Sequence, residues 1–147
     1  MKSKRLDPLI KRAEAREEDA ARELAEKARL LEANEQRLAE LRRYAEEYAP
    51  APAGAAINPA LLANRMAFRE KVEQAVELQK KAVERSRSQC ELQRTRLLLA
   101  SRDAQVLEKL AASHRAAEQR AQGRKEQKEL DDLAARSFLE RTKGEGA

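Results

Sequence analysis

Few residues in this sequence could do chemistry, and their spacing keeps them apart. His114 is the only histidine and Cys90 the only cysteine, so one chain offers neither a metal cluster nor a Cys–His couple. Both fall on the core face of a helix, where packing is the expected role. The 4 glycines are scattered and none opens a strand-to-helix turn, which leaves no phosphate-cradling loop. Glu46-Glu47 and Asp131-Asp132 are adjacent carboxylates on helices with no apolar cleft to raise a carboxyl pKa. They read as solvated. The pattern predicts no catalytic residue, no metal site and no cofactor.

Residues suited to binding are easier to find. Tyr44, Tyr48 and Phe68 are three of only four aromatics. Each joins an apolar body to a short reach, and tyrosine adds a polar tip, which makes it a good interface anchor. The competing reading is that they plug a helical hairpin near its turn. Basic residues form a second candidate surface. Residues 1–49 carry twelve basic and twelve acidic side chains, residues 58–100 nine against five, and residues 101–147 ten against nine. The net charge of +5 therefore gathers around Lys80, Lys81, Arg85, Arg87, Arg94 and Arg96. Such a stretch suits nucleic acid or anionic lipid, but Glu84 and Glu91 interrupt it and no stacking aromatic accompanies it. An ordinary solvated helix face is the preferred reading, with no nucleic-acid partner.

The elements that must position these residues follow from proline and composition. No proline occurs between Pro8 and Pro50, or after Pro59. Proline in a helix interior costs about 3 kcal/mol or more, so two long proline-free runs predict two long helices. Aromatics are 3% of residues and charged residues 39%, a composition that suits a coiled coil or a disordered chain; helical periodicity decides for the coiled coil. The predicted helices cover 8–48 and 59–140, joined by a loop at 49–58 and followed by a frayed tail at 141–147. All of this makes one all-α coiled-coil domain over 1–147. Asp7-Pro8 and Asn58-Pro59 each present an Asx N-cap before a first-turn proline. Ile57 and Leu62 are placed to form a hydrophobic staple, and Gly123 is the weak point inside the second helix.

A heptad runs through the first helix. One series is Ile10, Glu17, Leu24, Leu31, Leu38 and Ala45; the other is Ala13, Ala20, Lys27, Asn34, Leu41 and Tyr48. Most of these positions are apolar, as a narrow coiled-coil seam requires. The second helix carries a weaker seam through Val72, Val76, Gln79, Val83, Ser86, Cys90, Gln93, Leu97, Ala100, Ala104, Leu107 and Ala111. Folding about residues 53–54 makes an antiparallel hairpin and sets Leu31 against Val76, Leu24 against Val83 and Ile10 against Leu97. That register exhausts the first helix near residue 101. About forty residues of the second helix then overhang, by the ~1.5 Å rise common to both helices. A lone helix bearing Leu107, Leu110, Leu130, Leu133, Phe138 and Leu139 must bury them against a partner.

The N-terminal MKSKRLDPLI is basic but no apolar leader core follows it, and no apolar run approaches the roughly 20 residues that span a bilayer. With a single cysteine, the expectation is a cytoplasmic chain in a reducing compartment. The run Arg124-Lys125-Glu126-Gln127-Lys128-Glu129-Leu130-Asp131-Asp132-Leu133-Ala134 resembles the C-terminal signature of the flagellar FliJ family. That signature has an arginine, a Gln-Lys pair, and an acidic pair followed by an apolar residue and alanine. Tyr44–Tyr48 (YAEEY) resembles the paired tyrosines before the family's interhelix loop, and Asn64-Arg65 with Phe68 and Val72 resembles the opening of its second helix. Length and two-helix layout match across the whole chain. The resemblance implies a cytoplasmic component of the flagellar type III export apparatus, peripheral at the cytoplasmic face of the inner membrane. It further implies an antiparallel coiled coil similar to the γ stalk of rotary ATP synthases, mainly monomeric alone. Its implied partners are the flagellar export ATPase, the export-gate membrane protein and export chaperones. Carried over by position, the gate side comprises Leu41, Tyr44, Tyr48, Phe68, Val72 and Val76. The ATPase side comprises Leu9, Arg12, Arg124, Gln127, Lys128, Asp131 and Arg136. Met66 and Ala67 stand where more aromatic character is expected. The equivalent stalk of a virulence secretion system, a basic nucleic-acid binder and a dimeric scaffold are the alternatives.

Overall fold

A computed structural model describes residues 1–48 and 58–145. Two helices account for nearly all of them: α1 over Lys2–Glu47, of 46 residues, and α2 over Pro59–Glu145, of 87 residues. Among the described residues there is no strand. The two helices pack antiparallel as a coiled-coil hairpin, and α2 runs on past the start of α1. The expected second N-cap is present: Asn58 Oδ1 accepts from the Ala60 amide at 3.1 Å, and the Asn58 carbonyl accepts from the Leu62 amide at 2.9 Å. Ile57, the expected staple partner, and Pro50 lie outside the described residues.

The first N-cap is not where the Asp7-Pro8 pair suggests. α1 begins at Lys2 and carries Pro8 inside it. A proline there denies the Lys4 carbonyl its usual amide, but Lys4 and Pro8 are both exposed, so that carbonyl is not shut away from solvent. The extra turns place Ser3 and Leu6 on the seam, and Ser3 is buried. Interhelix packing therefore outweighs the local penalty of a proline. At the other end α2 continues through Gly123 without a break and reaches Glu145 rather than residue 140. A side chain at Gly123 would meet nothing within 4 Å, so close packing is not what requires glycine there.

Packing divides the chain into two units, Arg16–Ala100 and Met1–Ala15 with Ser101–Ala147. In the first, the expected heptad positions of α1 are the half-buried ones from Glu17 to Tyr48, and the facing seam of α2 buries Val72, Val83, Ser86, Cys90 and Gln93. Polar bonds cross this seam. Asn34 Nδ2 donates to Ser86 Oγ at 2.6 Å, Gln79 Nε2 donates to the Asn34 carbonyl at 3.0 Å, and Gln93 Nε2 donates to the Ala20 carbonyl at 3.3 Å. Arg87 and Glu35 form an exposed ion pair at 3.3 Å.

These contacts correct the expected register. Asn34 lies between Gln79 and Ser86, so Leu31 does not face Val76, and Leu24 does not face Val83. The expected pairing set like heptad positions opposite each other, as parallel coils do, whereas an antiparallel seam layers one series of α1 on the other series of α2. It also centred the fold on the loop. In the structure the residues from Pro59 to Phe68 are all exposed, and α2 reaches the level of Tyr48 only at Phe68.

In the second unit the seam is made of small residues. Ala13, Ala104 and Ala111 are buried, Ala111 completely, with Leu6, Ile10, Leu107 and His114 half-buried beside them. The pairing of α1 with α2 extends to Glu118, where the Ser3 amide donates to Glu118 Oε1 at 3.1 Å and the Ser3 hydroxyl to Oε2 at 2.6 Å. Ile10 therefore does not face Leu97. The overhang begins after Glu118 rather than near residue 101, and residues 119–145 are exposed on every side. At ~1.5 Å per residue that is roughly 40 Å of unpaired helix.

Candidate docking surfaces

The first candidate surface belongs to unit Arg16–Ala100 and forms where α1 ends against the first turns of α2. Tyr48 and Phe68 pack ring on ring, centroids 4.5 Å apart and tilted 53°, a favoured aromatic geometry. The Arg65 guanidinium stands 6.0 Å from the centre of the Tyr48 ring. Its Nη2 donates to the Glu47 carbonyl at 3.2 Å, so one cation both faces the ring and caps the negative end of α1. Tyr44 is 54% exposed and Phe68 46%, which leaves both available to a partner. Leu41 and Val76 are half-buried. Val72 is buried in the seam, where it supports the surface rather than presenting itself. Sequence reasoning left out Leu61, Leu62 and Met66, whose side chains are exposed on the first turns of α2. The available signal was that they precede the first seam residue and so have no opposite number on α1.

The second candidate surface lies in the unit formed by Met1–Ala15 and Ser101–Ala147. Arg124, Gln127, Lys128, Asp131 and Arg136 are all exposed along the unpaired part of α2. Gln127 Nε2 donates to Asp131 Oδ1 at 3.0 Å, an i,i+4 bond that holds both side chains along the helix. Leu130, Leu133, Phe138 and Leu139 are exposed among them. The positions that continue the seam past Glu118 are Ala121, Lys125, Lys128 and Asp132. Charge therefore replaces the apolar series where α1 runs out. Leu9 and Arg12 are exposed too, but the register sets Leu9 level with residue 108, about 24 Å of helix short of Arg124 at ~1.5 Å per residue. The structure does not bring these two groups together.

The alanine seam of this unit is closed at its end by an electrostatic contact. The first amides of a helix lack partners and carry partial positive charge. Among the first residues of α1 there is no acidic side chain to meet them; Glu118 of α2 does so instead. The Ser3 hydroxyl first, then the Ser3 amide, hold the Glu118 carboxyl below its ordinary pKa, with help from the Met1 α-amino group and His114. Nothing in the spacing of residues 115 positions apart announced this pair. His114 thus takes the packing role its place on the seam suggested, one turn from Glu118. Elsewhere the described residues hold no group of three or more His, Cys, Asp or Glu side chains arranged to bind a metal.

Two long antiparallel helices and a polar stretch of α2 without a partner helix among the described residues are the features to set beside known families. The model of the flagellar FliJ protein family matches residues 1–143. The chain belongs to the flagellar FliJ family. No curated protein and no solved structure matches it. A FliJ protein is a structural component of flagellar protein export and flagellum biogenesis rather than an enzyme, and it associates with parts of the export apparatus. No helix among the described residues is long and apolar enough to cross a membrane.

Proposed function

We propose that this FliJ protein is the central stalk of the export ATPase ring and links that ring to the export gate and to chaperone–substrate complexes. The observation that carries the reading is the unpaired part of α2. Residues 119–145 have no partner helix among the described residues, yet they carry four exposed apolar side chains and the polar run from Arg124 to Arg136. A helix that ends its own seam in charge and then presents apolar residues is built to be covered by another protein. In this reading Arg124, Gln127, Lys128, Asp131 and Arg136 engage the ATPase, with Leu9 and Arg12 contributing from α1. Tyr44 and Phe68 contact the gate, held in place by Tyr48, Leu41, Val72 and Val76. The chain acts mainly as a monomer and reaches the cytoplasmic face of the inner membrane only through these partners.

The basic stretch of α2 does not favour a nucleic-acid reading. Lys80 already pairs with Glu77 at 3.0 Å and Arg87 with Glu35 at 3.3 Å. Titrating the purified chain into its cognate export ATPase tests the stalk. Turnover and the hexameric fraction should both rise, and deleting residues 119–147 should abolish the rise. A flat titration sinks the proposal. Replacing Tyr44 and Tyr48 together by alanine should weaken gate binding at unchanged helicity.

A further inference from the structure

The register of the hairpin depends on a few polar side chains, because its apolar pattern repeats. Both seams run as unbroken heptads through the unit Arg16–Ala100. Displacing one helix by seven residues therefore returns knobs to holes, and the apolar layers alone do not choose between registers. The observed contacts layer residues whose numbers sum to about 117: Asn34 is bracketed by Gln79 and Ser86, and Ala20 meets Gln93.

We propose that Asn34, held between Gln79 and Ser86, is the register lock of this hairpin and thereby the positioning residue for the Tyr48–Phe68 surface. Asn34 uses its amide nitrogen on Ser86 Oγ at 2.6 Å and its two oxygens on Gln79 Nε2 at 3.0 and 3.3 Å. Ser86 is buried, and among the described residues no buried side-chain nitrogen or oxygen lacks a partner. A slip of one heptad in one direction puts Asn34 level with Val76 and takes it away from Ser86. The opposite slip puts it level with Cys90 and takes it away from Gln79. Either slip breaks one half of the bracket, and an orphaned polar group inside a seam is more costly than a lost apolar contact is useful. The aromatic surface follows the same choice. Phe68 meets Tyr48 in the observed register; a one-heptad slip would bring Leu61 or Ala75 to that level instead. The interpretation of that surface as a gate contact rests on the proposed function, but the lock itself does not.

The native Cys90, buried on the seam at 4% exposure, serves as a built-in reporter. In the observed register it lies level with Lys27; a one-heptad slip lays it level with Ala20. Under mild oxidation at low protein concentration, the full chain with Lys27→Cys should form an intramolecular disulfide and the chain with Ala20→Cys should not. Adding Asn34→Leu should raise the Ala20→Cys yield roughly ten-fold or more, the factor expected from removing a bracket whose breaking in that slip orphans the buried Ser86 hydroxyl. In case Asn34→Leu alone disturbs folding, the triple change Asn34→Leu, Gln79→Leu, Ser86→Ala removes all three members of the bracket, should keep full helicity and should give the same rise. If the Lys27→Cys bond still forms exclusively in the triple variant, the lock is overturned. Failure of Lys27→Cys to cross-link in the otherwise unaltered chain overturns the register itself. Neither readout involves the gate or the ATPase, so these outcomes are separable from failure of the proposed function.

Discussion

The two units of this hairpin close the same kind of seam with opposite materials. Between Arg16 and Ala100 the seam is built from valine, leucine and cysteine, stitched by Asn34, Gln79, Ser86 and Gln93. Between Met1–Ala15 and Ser101–Ala147 it is built from Ala13, Ala104 and Ala111 and closed by the Ser3–Glu118 pair. Alanine buries little area, so the second seam gains stability from closeness and from one charged cap rather than from large side chains. The first can lose volume and still hold its register through polar bonds. The second can lose little and accept nothing. Coiled-coil packing is thus one geometry with two tolerances, and the tolerances suggest experiments that would break the contrast.

The largest effect should come from adding volume to the small seam. Ala111→Leu forces a long side chain into a fully covered layer and should destabilise the chain by about 2–3 kcal/mol in urea denaturation followed by circular dichroism. A loss below about 0.5 kcal/mol, the range of ordinary surface changes, would mean that the alanine layer is not tight. Removing volume from the larger seam comes next. Val83→Ala should cost about 1–2 kcal/mol in the same assay. Were Ala111→Leu the milder of the two, the contrast between the seams would be reversed.

The cap of α1 should have a smaller and local effect. Because Glu118 has a lowered pKa in the folded chain, its stabilisation is present above the ordinary glutamate range and is lost as the pH falls through the folded value. The protection factor of the Ser3 amide against hydrogen exchange should therefore fall on acidification, while Glu118→Gln should show low protection already at neutral pH. Pronounced pH dependence surviving in Glu118→Gln would assign the effect to another group. Smallest of all, Gly123→Ala should stabilise α2 by about 0.5–1 kcal/mol, since the site is open and helical and alanine loses less backbone entropy than glycine. A loss of ATPase stimulation in that variant, at raised helicity, would show that flexibility at Gly123 is used.

Which residues face the seam was legible in the sequence alone. Every position of both α1 series, from Ile10 to Tyr48, is at least half-buried, and so is every α2 position from Val72 to Ala111. That face follows from a local rule: residues three and four apart share one side of a helix wherever the helix lies. The residues from Arg124 to Arg136 were picked out by the family resemblance rather than by periodicity, and their exposure follows from lying past the end of the pairing with α1. Three features were not legible. Register depended on Asn34 finding Gln79 and Ser86 across the seam, and on α2 starting several turns before it meets α1. The start of α1 depended on Glu118, and the length of the overhang depended on both. A periodic pattern states which way each helix faces but repeats too evenly to state how far one slides along the other. Side chains 45 to 115 residues apart in the chain made that choice, by satisfying one another's hydrogen bonds in a single alignment.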